Sequence, residues 1–282
     1  MDVIEIMRDA MSYPLANVKN WLVIALLFLI NGILQQLAIN YRNAYLTAIV
    51  GVISIIVLIV ISGVFISIMR ETFDNSSEIP MLNPIVNLVD GIKYLITQII
   101  YYLIPTVITL ILAFPVTGSK VNQLIMVTSQ LAANTTNTTQ IVNAIPQSLL
   151  IDVFVSIGIV AIFALILYII FGLLSNIAIA RLAETDDITA ALNIPYIIKK
   201  IQSIGIGKYV YFIVLVFLVS FVFSLVSGLI SAIPYVGIII ASFIVQSFAI
   251  VFIARATALI YMEGWLINLI FSFFSFLFTY IL

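Results

Sequence analysis

Six stretches of this chain are each apolar for about the length an α-helix needs to cross a hydrocarbon layer. They cover residues 21–39, 45–69, 94–114, 149–176, 209–232 and 236–254. A bilayer core about 30 Å thick takes roughly 20 helical residues. Only 8% of the residues are charged and 64% are hydrophobic, too few charges to build a water-facing surface. The expectation is an all-α, polytopic integral membrane bundle with six core spans.

The ends of these stretches carry a second pattern. Lys19 and Trp21, Lys93 and Tyr94, and Lys208 and Tyr209 each open an apolar run, while Arg70, Arg181 and Arg255 each close one. A basic side chain beside an aromatic ring suits the boundary between headgroups and hydrocarbon, so these nine residues read as membrane anchors. With the N-terminus inside, Arg8, Lys19, Arg70, Lys93, Arg181, Lys199, Lys200, Lys208 and Arg255 fall on the cytoplasmic side, and only Arg42 and Lys120 fall outside. All 11 basic residues are thereby placed, and their bias predicts a multi-pass protein of the cell membrane with a cytoplasmic N-terminus.

The cytoplasmic segments, 1–20, 70–93 and 177–208, read as three in-plane arms. One runs from Arg70-Glu71-Thr72-Phe73-Asp74 through Ile79-Pro80 to Gly91-Ile92-Lys93-Tyr94. Another runs from Arg181 through Glu184-Thr185-Asp186 and Ile194-Pro195 to Gly207-Lys208-Tyr209. Order and spacing agree, and Glu5 to Trp21 is a weaker copy, which suggests three parallel units of arm plus hairpin. Val3, Ile4, Met7, Ala10 and Met11 fit one apolar face of a surface helix; a frayed terminus is the alternative. No secretory signal is expected, because acids as well as bases precede the first span. Short connections at Asn40–Ala44 and Ile233-Pro234-Tyr235 force hairpins, and Pro105 is expected to kink its helix.

Residues 115–148 form the one long outside loop in this reading. Asn134 and Asn137 head two glycosylation sequons there; an unmodified polar loop is the competing reading. Residues 263–282 form a C-terminal apolar helix, either a seventh span or a helix lying in the interface. Its Asn268, Ser272, Ser275 and Thr279 share a stripe, as do Ser220, Ser224, Ser227 and Ser231 beside Gly228. Such stripes allow close helix approach in lipid. Residues 1–262 would make one six-helix domain.

Little in the chain can carry chemistry. Histidine and cysteine are absent, which removes the commonest zinc ligand and the thiolate nucleophile. A net charge of −1 argues against nucleic acid. Asp152 reads as an N-terminal helix acid or, alternatively, a cation or proton site. Asn31, Gln35, Gln98 and Gln246 lie inside spans and form a candidate intramembrane polar cluster; interhelical hydrogen bonding and a shared polar cavity are both open to them. Arg255 sits near the cytoplasmic end of its span and can snorkel. No catalytic residue, cofactor site or metal site is assigned.

Ile68-Met69-Arg70-Glu71-Thr72, Glu78-Ile79-Pro80, Leu88-Val89-Asp90-Gly91-Ile92-Lys93 and Ile100 to Pro105 resemble the archaeal membrane-protein family called domain of unknown function 4013. So do Ala180 to Thr185 and Ile233-Pro234-Tyr235-Val236-Gly237, and the resemblance runs over about residues 1–261. Ser77-Glu78-Ile79-Pro80 departs mildly from the family's Leu-Pro. More remotely the chain is similar to membrane domains attached to glycerophosphodiester phosphodiesterases, without their catalytic part. The resemblance implies a polytopic membrane protein and no activity. The leading expectation is a non-enzymatic scaffold or lipid-associated accessory protein, with membrane lipids, other membrane proteins or its own copies as partners. A transporter or channel for a small solute or lipid is the alternative, and a lipid-acting membrane enzyme the third.

Overall fold

The computed structural model describes residues 1–40, 43–134 and 137–263. Ten helices account for nearly all of them: α1 Val3–Ala16, α2 Val18–Asn40, α3 Ala44–Phe73, α4 Pro84–Asn134, α5 Thr138–Ala144, α6 Gln147–Thr185, α7 Ile188–Ala191, α8 Ile194–Ile204, α9 Ile206–Ser231 and α10 Gly237–Glu263. Helices α2, α3, α4, α6, α9 and α10 are long and apolar enough to cross a membrane. The protein is an all-α polytopic membrane bundle. Tyr41, Arg42, Thr135, Thr136 and the expected seventh span lie outside the described residues.

Local sequence sets the helix ends. Asp2 caps α1 in a reciprocal box with Glu5. Asn43, Asn137, Asp187 and Asn193 accept backbone N–H groups at the starts of α3, α5, α7 and α8. Helix α3 ends on Asn75 at φ 57°, where Ser76 N–H reaches back to the Glu71 carbonyl, a Schellman closure. Helix α6 ends on Asp186 at φ 56°. Both left-handed residues lie five positions after an arginine, Arg70 and Arg181.

The described residues pack as two compact units, 1–98 with 174 onward, and 99–173. In the first, α2 packs on α3 and α10, α9 packs on α10, and α1 and α8 both lie against α9. The tightest crossing is between α3 and α4. A Cβ added to Gly63 would sit 1.7 Å from the Asn87 carbonyl oxygen, and one on Gly91 would sit 1.8 Å from that of Ile59. Only glycine lets these antiparallel backbones meet so closely. Gly32 of α2 likewise faces Ile239 and Ser242, at the start of a π-helical stretch, Ala241–Gln246, inside α10.

The second unit holds the far ends of α4 and α6, with α5 between them in sequence. The Tyr102 and Tyr168 rings stack at 6.3 Å, and Thr106 Oγ1 lies 2.6 Å from the Tyr168 hydroxyl.

Three local expectations change. Residues 115–134, read as loop, continue α4 through Pro105 and Pro115, because each proline removes only one helical N–H and the segment keeps good helix formers. Helix α1 buries Val3, Ile6, Ala10 and Tyr13, whereas Ile4 is exposed, so its inner face is rotated from the expected stripe. Ser224 and Gly228 on the serine stripe of α9 are exposed, and nothing lies within 4 Å of a Cβ at Gly228. Among the described residues, only Ser231, at the end of that stripe, lies close to the next helix, against Gly237 across the turn.

Candidate functional site

The anchors gather where the arms meet the helix ends, within the first unit. Arg70 bonds Asp90 at 3.0 Å and Asp186 at 3.1 Å, and Lys93 Nζ reaches the same Asp186 carboxylate at 2.9 Å. One residue at the start of the third arm therefore ties together the end of α3 and the start of α4. Lys208 donates to Glu263 Oε2 at 2.7 Å and to the Met1 carbonyl, and the α-amino group at Met1 pairs with the other oxygen of Glu263. Lys19 is exposed. Trp21 donates from its indole N–H to the Ser247 hydroxyl at 3.2 Å and packs edge-on against Phe248. Tyr94 packs edge-on against Phe65, and Tyr209 stacks on Phe212.

Arg255 is held by two of the arms. It is 9% exposed, donates from Nε to Asp9 at 2.9 Å and from a terminal nitrogen to the Ser76 carbonyl, and lies 4.6 Å from the Tyr13 ring centroid. The arms are close enough to partner the guanidinium. The neighbouring carbonyls of the second arm are held in the same way. Asn17 donates to Ser77, Tyr13 to Glu78, and Asn20 to Ile79. Burial pushes the Tyr13 hydroxyl up to about 12.

A second cluster fixes the third arm. Arg181 pairs with Glu184 and stacks 4.2 Å from the Tyr196 ring centroid. Tyr261 donates to the same Glu184 oxygen at 2.6 Å, and Lys200 Nζ lies 4.3 Å from the Tyr261 ring. Lys200 is only 5% exposed, and desolvation brings its ammonium down to about 8. Lys199 and Lys200 look alike in sequence until the phase of α8 is known: Ile197, Lys200 and Ile204 form its buried stripe.

The four intramembrane amides differ in burial and partners. Gln98 donates to the Tyr94 hydroxyl and accepts from Ser175, joining α4 to α6. Asn31 is buried, Gln35 on the same helix is exposed, and Gln246 is partly buried in the π-helical stretch. Asp152 is exposed at the start of α6. Of the sequon residues, Asn134 donates back to the Gln130 carbonyl at the end of α4, and Asn137 caps α5.

One cavity opens among these elements. It measures about 470 Å³ and lies open to one side between the start of α2, the end of α3, the second arm and the start of α4. Arg70, Asn20 and Asn83 line it together with the carboxylates of Glu71, Asp74 and Glu78. No ion-pair partner reaches those three acids among the described residues.

The family model Protein of unknown function (DUF4013) matches residues 46–232. No curated protein and no solved structure matches the chain.

Proposed function

The chain belongs to the family Protein of unknown function (DUF4013), and from that footing we propose that it is a non-enzymatic membrane scaffold, a lipid-associated accessory protein. The observation that carries this reading is where the charges go. Arg70, Lys93, Arg181, Lys208 and Arg255 each hold an acid, and most of these pairs join an arm to a span end distant in sequence. Buried and partly buried charges of this kind fix one geometry more than they add stability. They favour a device that keeps its shape.

The outward faces support the same reading. None of the most apolar window of α9 is buried, and 11% of that of α4. Apolar faces of that extent suit lipid or partner helices. We further propose that the N-terminus is cytoplasmic and the membrane is the plasma membrane, supported by the bias of basic residues. The three-unit repeat is supported by the matching left-handed residues Asn75 and Asp186.

A solute or lipid transporter is the second reading. It is favoured by the π-helical stretch of α10, where Ser242 is buried with its hydroxyl unpartnered among the described residues, beside Gly32. π-Helical turns are frequent at functional sites. Cross-linking and co-purification from native membranes test the proposal. A stoichiometric protein or lipid partner is expected; recovery of the bare chain alone, with solute-dependent stabilisation, would favour the transporter.

A further inference from the structure

We propose that the outer face of α1 is seated in the membrane interface and binds anionic phospholipid, with Ile4, Met11 and Leu15 among acyl chains and Arg8 and Lys19 at headgroup phosphates. This deepens the lipid-associated reading and rests on it, naming the lipid class and the face that takes it.

A surface helix usually carries one apolar and one polar side, whereas α1 carries three stripes. Val3, Ile6, Ala10 and Tyr13 recur at steps of three, four and three and are buried, with α1 packed on α2 and α9. Asp2, Glu5, Asp9 and Ser12 recur at the same steps and make a polar stripe. Ile4, Arg8, Met11 and Leu15, at steps of four, three and four, make the third. Ile4 is 54% exposed and Leu15 61%. Contact with the bundle accounts for the first stripe and water for the second. The third calls for a second apolar neighbour.

Connectivity says what that neighbour is. One residue, Asn17, separates α1 from α2, which is long and apolar enough to cross a membrane. Exposed apolar residues carry on along α2 as Val18, Leu22 and Leu26. A helix tied this closely to the end of a span lies at headgroup depth, within reach of acyl chains. A protein partner on this face would have to displace that lipid.

Charge names the lipid. The acids of α1 are already engaged: Asp2 and Glu5 close the capping box, and Asp9 accepts from Arg255. Arg8 and Lys19 are exposed, and no acid pairs with either among the described residues. The charge left over for a partner is therefore positive. Arg8 stands on the border of two stripes, with Ile4 and Met11 to one side and Glu5 and Ser12 to the other. From there its stem can lie along acyl chains while the guanidinium reaches phosphate.

The test uses the full chain, which has no native cysteine, carrying one fluorophore at Leu15→Cys or Ser12→Cys in phosphatidylcholine vesicles. Acrylamide quenches from water, and phosphatidylcholine or phosphatidylglycerol with a nitroxide on the acyl chain quenches from the bilayer. The Leu15 probe should be quenched by nitroxide lipid and shielded from acrylamide, and the Ser12 probe the reverse. At Leu15, phosphatidylglycerol should quench at a lower mole fraction than phosphatidylcholine. Arg8→Gln should raise that fraction roughly fivefold, and Lys19→Gln likewise; Arg8→Lys should preserve it. Lys199→Gln removes the same charge from α8, where the helical neighbours are Pro195, Gln202 and Ser203 instead of an apolar stripe, and should change nothing. All the substituted side chains are exposed, so the fold is kept. Acrylamide reaching Leu15 as readily as Ser12 overturns the proposal. So does shielding of Leu15 from both quenchers, which assigns the face to a protein. Equal quenching by the two lipids, or quenching indifferent to Arg8→Gln, overturns the anionic assignment. Solute flux would sink the scaffold and leave this face in lipid; a wet Leu15 would sink the face and leave the scaffold.

Discussion

Replacing Gly91 by alanine should separate α3 from α4 and lower the stability of the protein. The added Cβ would lie 1.8 Å from the Ile59 carbonyl oxygen and 2.7 Å from its carbon. Ordinary contact begins near 3.4 Å, so the backbones must part by about 1.6 Å, since no flexible side-chain tip is there to yield. Overpacking of this kind costs about 3 kcal/mol, and the better helix propensity of alanine returns about 1 kcal/mol. The net loss of about 2 kcal/mol should lower the melting midpoint by roughly 4–8 °C for a chain of this size. Gly63→Ala, which meets the Asn87 carbonyl oxygen at 1.7 Å, should behave alike. Gly51, Gly158 and Gly228 are internal controls, because nothing lies within 4 Å of a Cβ at any of them. Alanine there should be neutral or raise the midpoint slightly. The assay is thermal unfolding in detergent followed by tryptophan fluorescence. Equal midpoints for Gly91→Ala and Gly51→Ala would refute the crossing described for α3 and α4.

Other outcomes follow from the arm network. The folded chain releases the Lys200 proton near pH 8, while the unfolded chain holds it to 10.5. Between those values the unfolded state binds more protons, so stability should rise with pH by up to about 3 kcal/mol; Lys200→Met should remove that slope in a pH series of melting midpoints. Arg255→Met leaves Asp9 and the Ser76 carbonyl without their donor and should cost about 1–3 kcal/mol, seen also as faster deuterium uptake across α1. For topology, the chain has no native cysteine; an impermeant maleimide on intact cells should label Asn134→Cys and leave Lys199→Cys unlabelled until the membrane is opened.

The spans were legible because hydropathy reports where hydrocarbon must be crossed. Helix length was not. Expected spans 94–114 and 149–176 correspond to Pro84–Asn134 and Gln147–Thr185, since a helix can continue into water where its polar residues still suit it. The anchors were legible as residues but their partners were not. Arg255 and Asp9 are 246 positions apart, and Arg70 and Asp186 are 116 apart, so only the packed arms reveal the pairs. Gly63 opens a Gly-xxx-Ser pattern with Ser67, but Gly91 has no small residue four positions away, and their facing residues are Asn87 and Ile59, so the crossing was not legible from spacing. The cavity acids were visible in sequence as surface charges, and nothing in their spacing marked the space beside them.

Solute flux in reconstituted proteoliposomes tests the central reading most directly. With its arms pinned to the span ends, the protein should pass small ions, amines, sugars and fluorescent lipid no faster than empty liposomes. Saturable flux of any one of them, abolished by a substitution at Asn31 or Ser242, would contradict the scaffold account.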